Sequence, residues 1–115
     1  MTAQIESYQD VTVVTLPDRQ LDARAAKGFK QSMAPVFERH TKVVFDMNRV
    51  EFVDSAGLAV ILSCLRQLNN LGGDLRLCAV AKPVRALLEM VRMHRIVEVM
   101  NTREEAVAAF RHAAS

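Results

Sequence analysis

The sequence predicts an α/β fold built on a largely parallel sheet, and three observations predict it. Short apolar runs of strand formers alternate with segments whose apolar residues recur at three- and four-residue spacing. The order reads strand, strand, helix, then strand and helix three times over, which implies parallel strands joined by right-handed crossovers. At 115 residues, half of them hydrophobic, the chain is expected to form one domain, 1–115, burying roughly two-thirds of the surface of its unfolded form.

Ile5 and the run Val11-Thr12-Val13-Val14-Thr15-Leu16 read as a hairpin, with Gln9-Asp10 near its turn and Pro17-Asp18 ending the second strand. A helix follows, capped by Asp22 behind Leu21, with Ala26, Phe29, Met33, Val36 and Phe37 on its buried face. Pro35 removes one of its hydrogen bonds and disfavours helical geometry at Ala34, so a kink or an early end is expected there. Val43-Val44-Phe45 lacks alternation and reads as a central strand covered on both faces. Leu58, Ile61, Leu62, Leu65 and Leu68 form the stripe of a second helix that stops at Gly72-Gly73. Residues 74–80 make the next strand. Pro83 suits the first turn of a helix with the stripe Val84, Leu87, Leu88 and Val91. Residues 96–99 make a last short strand. Thr102 with Glu105 is a capping box for a closing helix packed through Ala106, Val107 and Phe110.

Function is expected at Val53-Asp54-Ser55-Ala56-Gly57-Leu58. With Asp54 as N-cap, its carboxylate accepts from a free N–H of the first turn, and Val53 packs on Leu58 as a hydrophobic staple. Ser55 becomes the first helical residue. Its hydroxyl is then spared from capping and points to solvent at the positive end of the helix dipole, where a phosphate is favourably placed. On Asp54 and Ser55 alone, a plain helix cap is the commoner meaning of Asp-Ser. Gly57, without a side chain, leaves room for a partner surface to approach, or is simply a tolerated first-turn glycine costing about 1 kcal/mol against alanine.

Other chemistries find no support in the residues. The net charge of +2 comes from charges scattered along the chain, so no basic stripe argues for nucleic acid. The four glycines lack the spacing of a phosphate-binding loop. His40, His94 and His112 are far apart and read as surface or rim histidines. Cys64 and Cys78 read as buried free thiols, leaving no metal site. No cofactor is expected. A Ser-His-Asp triad assembled from Ser55 lacks the glycine of a nucleophile elbow where Val53 stands, and Asp46 ends a strand without the acidic cluster of a phospho-acceptor domain. The chain is read as no enzyme. Its start lacks a signal-peptide layout and its longest apolar run, Leu58 to Leu62, is too short to span a bilayer, so a cytoplasmic protein without membrane insertion is expected.

Leu21-Asp22, the strand from Val43 to Met47, Asp54-Ser55-Ala56-Gly57-Leu58, Gly72-Gly73 before Leu75, and the Pro83 helix together resemble the STAS domain of bacterial anti-sigma factor antagonists. The resemblance covers essentially the whole chain. It implies a small, mostly parallel mixed sheet of about five strands, with about four helices packed mainly on one side. It also implies partner switching in transcription regulation. The dephosphorylated protein binds an anti-sigma factor that is also a serine kinase, phosphorylation releases it, and a serine phosphatase restores binding. Ser55 is then the phosphorylated residue; Asp22, Asp54, Ala56, Gly57 and Leu58 complete the partner-binding set; and the free protein is a monomer. Two features depart from the family pattern: Pro17-Asp18-Arg19-Gln20 stands where a glycine usually precedes Leu-Asp, and Pro35 lies in the first helix.

Phosphate adds roughly −1.5 to −2 charges. At a helix N-terminus it is locally stabilising by about 0.3 to 1 kcal/mol, so release is expected from charge buried in an interface beside Asp54, not from unfolding. The alternative function is that of a STAS scaffold subunit docking on the ATPase of a membrane lipid transport complex, a group that shares a related Asp-Thr/Ser-x-Gly-Leu region. Serine at position 55 favours the switch.

Overall fold

The computed structural model describes residues 3–113, with side chains as far as Phe110. In chain order the elements are β1 (Gln4–Tyr8), β2 (Val11–Thr15), β3 (Gln20–Leu21), α1 (Ala23–Arg39), β4 (Lys42–Asp46), β5 (Phe52–Val53) and α2 (Ser55–Asn70). There follow β6 (Asp74–Cys78), α3 (Lys82–Met90), a 3₁₀ turn (Met93–Arg95), β7 (Glu98–Met100) and α4 (Arg103–Ala113). β1 and β2 pair antiparallel about a turn at Gln9-Asp10, and the other strands of the main sheet pair parallel in the order β1-β2-β4-β6-β7. The expected mixed, mostly parallel sheet is therefore present.

Alternation along the central strands divides the core in two. Val43 and Phe45 of β4, Leu75 and Leu77 of β6, and Val14 of β2 face the layer formed by α1, α2 and α3. Val44, Cys78, Val11 and Val13 point the other way, onto Ala106 and Phe110 of α4. Three helices cover one face and one covers the other. β4 is thus buried on both faces, and each of its fully buried apolar side chains contributes about 1.5–3 kcal/mol. Arg76, a buried charged residue on the α4 face, lies 4.1 Å above the Phe110 ring and pairs with Glu98 at 3.0 Å.

Several local expectations are corrected. α1 continues through Pro35 to Arg39 with no early end, because Met33, Val36 and Phe37 on either side of the proline are buried. The bond that proline removes would fall on Gln31, which is exposed and can be satisfied by water. The third stripe is shorter than its apolar period: α3 stops at Met90, Arg92 turns left-handed at φ 63°, and Val91 is exposed. Met93 takes the core position in its place, Ile96 is exposed, and the last strand is β7 at 98–100 instead of 96–99. β6 likewise ends at Cys78, ahead of Val80, where Ala79 takes φ 55°. The capping box is present as Glu105 N–H donating to Thr102 Oγ1 at 3.1 Å, with the Thr102 hydroxyl donating in turn to the Glu105 carboxylate at 3.2 Å. Gly72 holds φ +82° after α2, a conformation that favours glycine at a helix end.

Candidate functional site

The site grows from two dipeptides too short to be seen as strands. Gln20-Leu21 and Phe52-Val53, β3 and β5, form a two-stranded parallel ladder of their own, with Gln20 beside Phe52 and Leu21 beside Val53. Each is followed at once by an aspartate and then by a helix. The ladder therefore sets Asp22 and Asp54 next to one another, and each is an N-cap in extended geometry. Asp22 Oδ1 accepts from Arg24 and Ala25 N–H, both at 3.1 Å, as expected of a cap on α1.

Asp54 does more than cap its own helix. Its Oδ1 accepts from Gly57 N–H at 3.0 Å, the expected N-cap bond of α2, and its Oδ2 accepts from Ala23 N–H at 3.2 Å, the first residue of α1. One carboxylate thus satisfies an orphan donor on each of two helices. The backbone strengthens the junction: Asp54 N–H donates to Leu21 C=O at 3.4 Å, and Glu51 and Phe52 N–H donate to Arg19 C=O at 2.7 and 3.2 Å.

Ser55 is the first residue of α2 and is exposed. Among the described residues no hydrogen bond engages its hydroxyl, since Asp54 does the capping. Ala56 and Leu58 are half-buried, and both pack against the same core that contains Val53. Gly57 is corrected. It is buried and faces the protein, not a partner: a Cβ there would overlap the carbonyl oxygen of Leu21 and lie 2.8 Å from Val53 Cγ1. Its missing side chain is what lets α2 close onto β3. In the loop that departs from the family pattern, Asp18, Arg19 and Gln20 line a surface depression of about 480 Å³ beside Asp22, lined also by Arg24 and Ala25.

A second polar cluster was not legible in the sequence. Arg103, the first residue of α4, donates to the buried Asp46 carboxylate from Nε at 3.1 Å and a terminal nitrogen at 2.9 Å. It also donates to Glu6 at 2.9 Å, Tyr8 at 3.1 Å and Thr15 at 3.0 Å. These bonds push the guanidinium pKa further up and hold the Glu6 carboxyl below its ordinary range. Burial pushes both thiols, Cys64 and Cys78, up to about 12. His40 is half-buried and His94 exposed, in keeping with rim positions, while the side chain of His112 lies outside the described residues. Among the described residues, no three His, Cys, Asp or Glu side chains come together in a way that could hold a metal ion, and no helix is long and apolar enough to cross a membrane.

A family model described as the STAS domain matches residues 2–106. The chain belongs to the STAS-domain family. BtrV of Bordetella bronchiseptica, provisionally named an anti-sigma factor antagonist, is 39% identical over 80 residues, which are 70% of this chain and 69% of BtrV. A Thermotoga maritima crystal structure, of a protein given the same provisional name, superposes with a TM-score of 0.88 at 25% identity, covering 95% of this chain and 94% of that one. SpoIIAA of Bacillus, a cell fate determinant solved in its phosphorylated form, shares the fold with a TM-score of 0.72 at 20% identity, over 95% of this chain and 99% of SpoIIAA. BtrV and the Thermotoga maritima protein are thus both named for antagonism of an anti-sigma factor.

Proposed function

We propose that this STAS protein is an anti-sigma factor antagonist that works by partner switching at Ser55. In its dephosphorylated form it binds an anti-sigma factor that is also a serine kinase. Phosphorylation of Ser55 by that kinase ends the binding, and a serine phosphatase restores it. The observation that carries this reading is the exposed, unengaged hydroxyl of Ser55 at the first position of α2, beside a carboxylate already committed to capping. The name of BtrV and the phosphorylated form of SpoIIAA support it by likeness.

Phosphate at this point meets the positive end of α2, so the fold tolerates it. An interface pressed onto Ser55 would have to bury up to two new negative charges next to Asp54, where desolvation and like-charge repulsion oppose association. In this reading Asp22, Asp54, Ala56 and Leu58 complete the partner-binding set with the serine, whereas Gly57 contributes from beneath by packing on Leu21. The test is intact-mass analysis after incubation with ATP, magnesium and lysate of the source organism. One added phosphate that Ser55→Ala abolishes is expected; full modification of the alanine variant would place the site elsewhere.

A further inference from the structure

We propose that Asp54 is a positioning residue that holds the N-terminal ends of α1 and α2 as one recognition surface, so that the partner of Ser55 reads the first turn of α1 together with the serine. The proposal deepens the partner-switching reading and rests on it for the identity of the partner. Three independent observations lie behind it. The β3–β5 ladder places the two chain segments in fixed register. Gly57 closes onto the Leu21 carbonyl without space for a methyl group. The Asp54 carboxylate then spans the remaining gap, with one oxygen on Gly57 N–H and the other on Ala23 N–H.

An N-cap needs only one acceptor. The second oxygen of Asp54 is therefore surplus to capping α2, and it is directed at the one first-turn donor of α1 that Asp22 does not take; Asp22 itself serves Arg24, Ala25 and, through its carbonyl, Ala26. Serine, threonine or asparagine would cap α2 equally well, but none offers two equivalent acceptors. What the clamp fixes is the placement of Ser55 relative to Asp22, Arg24 and the loop of Asp18, Arg19 and Gln20, which together wall the depression at the start of α1. A partner that covers Ser55 and extends across the ladder meets this second half of the surface in a set orientation.

Two substitutions break the same bond from opposite sides. Asp54→Asn keeps an acceptor for one helix but turns an NH2 group toward the other. Ala23→Pro deletes the N–H donor while leaving Asp54 in place. Ala23 is exposed at the first helical position, where proline is favoured, and the preceding Asp22 is extended at φ −117°, ψ −173°, as a residue before proline should be.

Both variants are expected to fold with wild-type helix content. In each, the amide resonances of Ser55 and of the residues flanking the lost bond should move in a ¹⁵N-correlation spectrum of the free protein. With the purified serine kinase recovered by the Ser55→Ala variant, each should raise the KM for Ser55 phosphorylation about tenfold with kcat retained, and the double variant should be no worse than either single one. Ala23→Pro spectra unchanged at Ser55 would overturn the clamp whether or not any kinase binds. Equal KM for Ala23→Pro and wild type, or multiplicative effects near a hundredfold, would overturn its role in recognition and leave Asp54 a simple cap or a direct contact. If no kinase phosphorylates the wild type yet Ala23→Pro moves the Ser55 amide, the partner-switching reading falls and the clamp stands.

Discussion

Gly57→Ala ought to be a favourable change on helix propensity alone, worth up to about 1 kcal/mol inside α2. The structure reverses the sign. The added Cβ would overlap the Leu21 carbonyl oxygen and crowd Val53 Cγ1 at 2.8 Å, and neither neighbour is the free end of a flexible chain. Either β3 moves away from α2 or the first turn of α2 unwinds. Overpacking of this kind costs about 1–3 kcal/mol, and separating the segments also weakens the Asp54-to-Leu21 and Ala23-to-Asp54 hydrogen bonds at about 1 kcal/mol each. The net expectation is a loss of about 2 kcal/mol, at roughly 4 °C in Tm per kcal/mol for a chain of this length. Gly28→Ala is the matched control: Gly28 also lies within a helix, but a Cβ there meets nothing within 4 Å, so this variant should gain about 0.5–1 kcal/mol. Urea unfolding of the three proteins at equal m-values reads both numbers. If the two alanine variants shift the midpoint in the same direction by similar amounts, the close approach of α2 to β3 is wrong.

Arg103→Ala leaves Asp46, 6% exposed, with the Asn48 N–H as its one remaining donor among the described residues in place of a charge-assisted pair, and should cost about 2–3 kcal/mol by chemical denaturation. Asp46→Asn in that background should recover part of the loss. The hydrogen bond and charge of Arg103 lower the Glu6 pKa below 4.5 in the folded state, so this interaction adds stability above that pH and loses it as pH falls through the folded value; Glu6→Gln should make the decline in denaturation midpoint below about pH 4.5 shallower. A decline as steep in the variant as in wild type would remove Glu6 from the cluster's acid response. Cys64 and Cys78, buried with thiol pKa values pushed up to about 12, should react with a thiol reagent at neutral pH only as fast as the chain opens. Burst labelling of either in native buffer would contradict their burial.

What the sequence revealed and what it hid follow from the range of the interactions. The N-cap Asp54, the free Ser55, the Gly72 stop and the Thr102 cap were readable because each depends on residues within one turn. α1 outran its proline because the buried side chains on both sides of Pro35 outweigh one lost hydrogen bond, a judgement that needs the sheet in place. The apolar period of α3 misled at Val91, and the strand run at Ile96, where a left-handed Arg92 redirects the chain and Met93 fills the core instead. β3 and β5 span two residues each, too few for alternation to register. A signal was nevertheless present. Leu21-Asp22 and Val53-Asp54 are the same apolar-aspartate pair in front of a helix, and their equivalence pointed to two caps that could meet. The Arg103 cluster joins residues from three strands and one helix distant in sequence, and no local pattern announces it.

The central claim is that the charge state at position 55 decides whether the partner stays bound. Its most direct test is the affinity of wild type, Ser55→Ala and Ser55→Asp for the serine kinase recovered from lysate, measured side by side by calorimetry. The alanine variant should bind as tightly as the unphosphorylated protein, the enzymatically phosphorylated protein should bind far more weakly, and the aspartate variant should fall between them, since it supplies about one charge where phosphate supplies up to two. Equal binding by the alanine, aspartate and phosphorylated forms, or recovery of membrane transport subunits by alanine and aspartate variants alike, would contradict the switch and favour a constitutive scaffold.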